Sequence, residues 1–222
     1  MAIVVTGALW LGMAGAAVAA EIVGTPESDS LLGTQLEDRM WGLAGDDDLF
    51  GLGGPDRVIG GRGDDEINGD GPCPGFLVGE PFYCLPGPDG ADTLTGGTGE
   101  DTILGEDGRD RLAGQGDDDR LRGGRGNDRV EGGKGDDVLF GDAGSDSLVG
   151  GPGDDGLRGG AHGDVFNPGP GRDVMVGDNG PDRFLIRDGK RDTVNCGRGR
   201  DVVRADRRDR VRRNCERVIR RR

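Results

Sequence analysis

Over residues 24–185 the chain repeats every nine residues, and two places of the period tolerate no exception. Blocks of nine begin at Gly24, Gly33, Gly42, Gly51 and Gly60; after one break in register they resume at Gly96 and continue from Gly105, Gly114, Gly123, Gly132, Gly141, Gly150, Gly159, Pro168 and Gly177. The sixth place is always aspartate: Asp29, Asp38, Asp47, Asp56, Asp65, Asp92, Asp101, Asp110, Asp119, Asp128, Asp137, Asp146, Asp155, Asp164, Asp173 and Asp182. The eighth place is always one large apolar residue, from Leu31 and Met40 to Met175 and Phe184. Chance does not keep both columns. A short fixed period is the mark of a stacked architecture in which each repeat packs only on its neighbours.

The period overrules the composition. Glycine is 48 of 222 residues, hydrophobic residues are 32% and the formal net charge is −14, a profile that otherwise signals disorder. A three-residue strand centred on the eighth place sends that side chain to one face and its neighbours to the other, so Arg120, Arg122, Arg129 and Glu131 are expected in water. Glycine suits the intervening turns, which need positive φ and close approach of backbone to an ion. Stacked carboxylates repel one another, and one apolar side chain per repeat is a thin core. A cation is the missing partner. Carboxylate and carbonyl oxygens are hard ligands that suit calcium, which takes six to eight of them in flexible geometry, better than magnesium, which keeps its water.

The blocks resemble the nonapeptide G-G-x-G-x-D-x-U-x, with U a large apolar residue, of the RTX (repeats-in-toxin) calcium-binding proteins. The resemblance implies an all-β fold, a right-handed parallel β-roll with two repeats per coil. Six glycine-rich residues form a turn that binds calcium, and three form a strand. It implies metal ligands at Asp47, Asp56, Asp65, Asp92, Asp101, Asp110, Asp119, Asp128, Asp137, Asp146, Asp155, Asp164, Asp173 and Asp182, completed by backbone carbonyls. Turns two repeats apart stack, which places Asp128 beside Asp146 and Asp137 on the opposite edge. Sixteen repeats give about eight coils. The first two blocks carry Glu27 and Leu36 in place of the fourth glycine, so residues 21–41 are expected to cap the roll. Asp117 and His162 at the same place weaken the expectation of regular turns in two later blocks.

The break between the repeats of 42–71 and those of 90–185 is an insertion over residues 72–89. Cys73 and Cys84 bracket it, which reads as a disulfide-closed loop. Phe76, Phe82 and Tyr83 stand out in a chain that is 4% aromatic. They are either a docking knob for a protein or glycan partner or, as the aggregation hazard of exposed aromatics favours, an anchor packed on the flank of the roll. The last segment, 186–222, has the opposite polarity: over 187–222 there are 15 Lys and Arg against 6 Asp and Glu, a net of +9, while residues 1–186 carry 13 against 36, a net of −23. Its Asp-x-Val units approximately continue the roll, and Cys196 with Cys215 is expected to staple it as a C-terminal cap that protects the last strand edge.

Residues 2–20 are uncharged and apolar, with an Ala-x-Ala pattern at Ala17 and Ala19. They read as a secretory signal, or as an uncleaved anchor because no Lys or Arg precedes them. The cysteine pairs suit an oxidising compartment, so the chain is expected outside the cell or on its surface, with no stable membrane span in the mature form. Several other signals carry nothing. His162 is the only histidine and sits among turn glycines without a partner, serines are few, and no nucleophile and base arrangement suggests an enzyme. EF-hand spacing and a Gly-Lys-Ser/Thr phosphate loop are absent, and Arg62-Gly63-Asp64 is a triplet this composition produces by chance. Nucleic acid is disfavoured, since the basic tail has no aromatic for stacking and is interrupted by aspartates. Three classes remain: a secreted, calcium-dependent structural or interaction module, a calcium-dependent adhesin for a glycan, protein or anionic envelope surface, and an accessory of a secreted enzyme or toxin.

Overall fold

The computed structural model describes residues 19–69 and 90–220. These form a parallel β-solenoid of about ten turns with no helix. Strands alternate between two sheets, one of eleven strands from Glu21–Val23 to Arg217–Arg220 and one of ten from Ser30–Leu32 to Arg210–Val211. Consecutive strands therefore lie in opposite sheets, and each pairs with the strand two repeats away. The register follows the period: Leu121 lies between Ile103 and Leu139, and Val130 between Leu112 and Leu148. Across the insertion the pairing is Val58 with Leu94 and Ile67 with Ile103, so the roll closes over the break without losing a place.

Alternation inside each strand explains the core. The eighth-place residues point inward, and Met40, Leu49, Ile67, Leu94, Leu139 and Phe166 are all essentially fully buried. Flanking residues such as Arg120, Arg122, Arg129 and Glu131 are exposed, as the pleat requires. Phe166 and Phe184, one turn apart, stack with ring centroids 4.5 Å from each other. Three features differ from the sequence expectation. Many strands run six residues rather than three, as in Arg129–Lys134, because turn glycines continue the parallel ladder. Pairing begins earlier, at Glu21, and runs through the basic segment to Arg220, which is why there are about ten turns and not eight. Asp117 and His162 take φ of 74° and 77°, so these turns keep the left-handed residue that glycine supplies elsewhere.

In the last turns Val194 and Val203 continue the core column, and Cys196 is bonded to Cys215 across 19 residues of sequence. Cross-linking a loop of that length stabilises by about 3 kcal/mol in the chain-entropy picture. Replacing both cysteines by alanine is expected to remove that amount locally, seen as faster amide exchange over Val202–Ala205 and Arg217–Arg220 with the middle of the roll unchanged. Exchange that does not change on removing the bond would contradict the capping role. The loop expected to be closed by Cys73 and Cys84, with Phe76, Phe82 and Tyr83, lies outside the described residues, as do residues 1–18.

Candidate metal centre

Each sixth-place aspartate ends a turn and precedes an inward-facing strand residue, so stacking at strand spacing piles the carboxylates into two columns, one along each edge of the roll. In the first column the amide of Asp47 donates to Asp65 Oδ1 at 2.9 Å, Asp101 to Asp119 at 2.9 Å, Asp119 to Asp137 at 2.9 Å and Asp155 to Asp173 at 2.9 Å. In the second, Asp56 donates to Asp92 at 2.7 Å, Asp92 to Asp110 at 2.8 Å, Asp128 to Asp146 at 2.9 Å and Asp164 to Asp182 at 2.9 Å. Asp128 and Asp146 thus adjoin on one edge, and Asp137 lies in the other column between Asp119 and Asp155. Every aspartate of the fourteen expected as ligands is buried, none more than 3% exposed.

One oxygen of each carboxylate is used by this ladder, and in eleven of them the other is left over. Oδ2 of Asp47, Asp65, Asp101, Asp119, Asp128, Asp137, Asp146, Asp155, Asp164, Asp173 and Asp182 is buried and accepts no hydrogen bond. It faces the first glycine of its own turn, except at Asp173, whose turn begins with Pro168. A Cβ on Gly141 would overlap Asp146 Oδ2 and stand 2.7 Å from the carbonyl oxygen of Gly159, so glycine keeps open a space bordered by carboxylate and carbonyl oxygens. The second residue of the turn explains why no amide fills it. With φ near +85° at Leu43 and Leu52, the N–H turns away and donates to the carbonyls of Gly60 and Gly69 at 2.9 Å. A buried, anionic, oxygen-only space beside a carbonyl is the donor set calcium prefers. Among the described residues no three or more acidic, His or Cys side chains converge on one point, so backbone carbonyls have to supply much of any coordination shell.

The ends of the columns are built differently. In the first two blocks the second residue is threonine, and Thr25 and Thr34 aim their amides at Oδ2 of Asp29 and Asp38, each at 2.5 Å, with Thr25 Oγ1 adding a bond at 2.8 Å to Asp29. Oδ2 of both aspartates is thus satisfied by the protein, and Asp38 Oδ1 also accepts from the amide of Ala20 at 2.5 Å, which fits a cap. At the other end Asp209 Oδ2 accepts from the amide of Asp206 at 2.6 Å, and Glu216 takes the amide of Asp201 at 2.9 Å in place of a further aspartate. Asp192 and Asp201 were not among the expected ligands, yet they are buried and continue the columns; Asp192 leaves Oδ2 without a partner, and Asp201 engages Glu216. Their Asp-x-Val spacing was the signal; the ten-residue step from Asp182 to Asp192 hid it. At the place of the first glycine these last turns carry buried Ile186, Cys196 and Ala205, side chains where the interior turns keep space.

Burial and neighbouring carboxylates make the columns poor anions on their own. Desolvation, opposed by the ladder amides and reinforced by adjacent aspartates, pushes Asp65, Asp137 and Asp146 up to about 6, Asp101, Asp119, Asp155, Asp173 and Asp182 up to about 7, and Asp164 up to about 8. A carboxyl whose folded pKa exceeds the unfolded 3.8 binds more protons folded than unfolded in between, so metal-free stability falls as pH rises through that window. In metal-free buffer the urea midpoint is therefore expected to drop between pH 4 and pH 8. A midpoint that rises with pH over this range would show that the carboxylates are not held as described.

A second ladder runs outside the first column only. Asp46 Oδ1 accepts from the amide of Asp64 at 3.0 Å, Asp64 from Glu100 at 2.9 Å, Asp118 from Asp136 at 2.7 Å and Asp136 from Asp154 at 2.7 Å. These carboxylates are exposed. The equivalent places beside the second column are Glu37, Pro55, Ala91, Arg109, Asn127, Ser145, Gly163 and Pro181, so at this place the first edge is acidic from Asp46 to Asp154 and the second is not beyond Glu37. His162 serves as a turn residue. No helix among the described residues is long and apolar enough to cross a membrane.

The chain matches the family model for the RTX calcium-binding nonapeptide repeat at residues 23–58, 41–71, 87–121, 114–148, 140–175 and 149–184. No curated protein matches it. The matches stop where Ile186, Cys196 and Ala205 replace the first glycine, and they omit most of the insertion.

Proposed function

The chain belongs to the RTX calcium-binding nonapeptide repeat family, a calcium-binding repeat module, and from that membership we propose that it is an exported protein that folds on binding several calcium ions and acts outside the cell as a rigid structural or interaction module. The observation that carries the reading is the row of buried Oδ2 atoms without a partner between two satisfied ends. The aspartates from Asp47 to Asp182, with the carbonyls of their turns, would hold the ions. Bound calcium supplies charge neutralisation to carboxylates that are otherwise buried without a counter-charge. What the protein itself contributes is the ladder that fixes each Oδ1, the glycine that keeps the adjoining space open and the flipped amide that does not fill it. The chain performs no chemistry of its own in this reading. Low calcium in the cytosol would leave the repeats open for translocation, and millimolar calcium outside would close them by mass action. The apolar segment at residues 2–20 supports export. The test is a calcium titration of the chelated chain read by circular dichroism, with fractionation of the producing cells. A strand spectrum that ignores calcium overturns the folding claim, and retention in the cytosol overturns export.

A further inference from the structure

Arginines on the outer faces of the two sheets differ in their pairing, although Arg120 on the ten-stranded sheet is exposed and forms no salt bridge among the described residues. On the ten-stranded sheet Arg122 is paired with Asp142 and lies 5.8 Å from the ring centre of Phe140, and Arg158 is paired with Asp178. On the eleven-stranded sheet the first outward place of successive strands is Arg39, Arg57, Thr93, Arg111 and Arg129, in direct cross-strand register. Within the row only Arg129 forms a salt bridge, with Glu131 at 3.2 Å; among the described residues Arg57 and Arg111 are exposed and form none, and Arg39, exposed and likewise without one, has Glu21 as its cross-strand neighbour at the end of the row. Like charges directly opposite one another on a sheet destabilise it, and this chain, with a net charge of −14, has carboxylates to spare. Many are buried in the columns or ranked along the far edge; of those in the near-edge turns, Asp107, Asp142 and Asp178 are paired with Arg125, Arg122 and Arg158, and Glu106 is half-buried. Arg109 lies on the near edge, and the places beside the row are Trp41, Ile59, Thr95 and Ala113, which are uncharged.

We propose that this row is a binding site for a linear acidic polysaccharide lying along the roll axis. The five strands span about 19 Å at the usual strand spacing, room for a few sugar units. Guanidinium forks suit carboxylate and sulfate groups, which they bind bidentately. The shoulder at Trp41 and Ile59 offers apolar contact to the faces of the rings. A nucleic-acid duplex fits the site less well. The flat face is only about 10 Å across, the length of a three-residue strand, so a duplex overhangs the edge lined by Asp46, Asp64, Glu100 and Asp118.

The inference rests on the roll being folded, so the test begins by recording the strand spectrum of the full chain in calcium. Fluorescent chondroitin sulfate, dextran of similar length and a short DNA duplex are then titrated by anisotropy against wild type, Arg57→Gln with Arg111→Gln, and Arg122→Gln with Arg158→Gln. The expected result is binding of chondroitin sulfate that weakens as salt rises, falls about tenfold in the Arg57 and Arg111 pair and is unchanged in the Arg122 and Arg158 pair, with little binding of dextran or duplex. Equal loss in both variant pairs, undiminished binding in the first, preference for the duplex, or no binding by a chain whose strand spectrum is intact overturns the proposal. A missing strand spectrum in calcium is a failure of calcium-coupled folding and is recognised before any glycan is added.

Discussion

In metal-free buffer at pH 7.5 the chain is expected to lose most of its strand circular dichroism and most of its compactness, and to regain both in millimolar calcium. The reason is local and countable. Twelve aspartates from Asp47 to Asp192 have a buried Oδ2 that accepts no hydrogen bond. An unsatisfied buried acceptor costs about 1–3 kcal/mol, more when charged, against a net stability of about 5–15 kcal/mol for a whole domain. Protonation relieves the penalty only below the pH to which burial has moved these groups, up to about 8 for Asp164. At neutral pH a cation is the remaining relief. A ligand that binds only the folded state at a hundred times its dissociation constant stabilises by about 2.7 kcal/mol per site, so a few such sites decide whether the roll exists. Size-exclusion and circular dichroism with chelator and with calcium check this together. A metal-free chain that stays compact and strand-rich at pH 7.5 would mean the columns tolerate their own charge.

The second large effect is one whose sign changes with calcium. Asp137→Asn keeps Oδ1 for the amide of Asp119 but replaces the unpartnered carboxylate oxygen with an amide nitrogen. Without metal the substitution removes a buried charge and is expected to stabilise the roll. With calcium it puts a donor where an anionic ligand stood and is expected to lose about one site's worth of stabilisation, about 2.7 kcal/mol at hundredfold saturation. Asp38→Asn supplies the contrast. Both oxygens of Asp38 already accept amides, from Ala20 and Thr34 at 2.5 Å each, so an asparagine there must turn a donor toward a donor. The cost, about 1–3 kcal/mol, should be the same with and without calcium. Urea midpoints of the two variants in chelator and in calcium give four numbers. If Asp137→Asn is equally destabilising in both conditions, the position holds no ion.

Much of the molecule was legible beforehand because a nine-residue period leaves few solutions. Asp128 had to sit beside Asp146, and Leu121 beside Leu139, once turns stack every second repeat. Other features depended on which way a peptide group points, and no residue spacing reports that. Thr25 and Leu43 occupy the same place of their blocks, yet the amide of one fills the space beside an aspartate and the amide of the other turns away from it. Asp117 and His162 looked like flaws in their turns, but the stacked neighbours on both sides hold them at positive φ and the ladder through Asp119 and Asp164 is unbroken. The basic segment looked like a different kind of sequence because its charge is on the outside; Asp192, Asp201 and Asp209 are buried in the columns, so its surface is more basic than its composition.

By itself, then, the sequence determined the period, the two columns of aspartate, the inward apolar residue of every strand and the family to which such repeats belong, since each follows from spacing along one chain. Only the tertiary structure decided where the columns end, because that depends on the amides of Thr25, Thr34 and Asp206 meeting particular oxygens. It also decided that Arg39, Arg57 and Arg111 form one row across an insertion, because cross-strand register brings together residues that the chain itself keeps far apart.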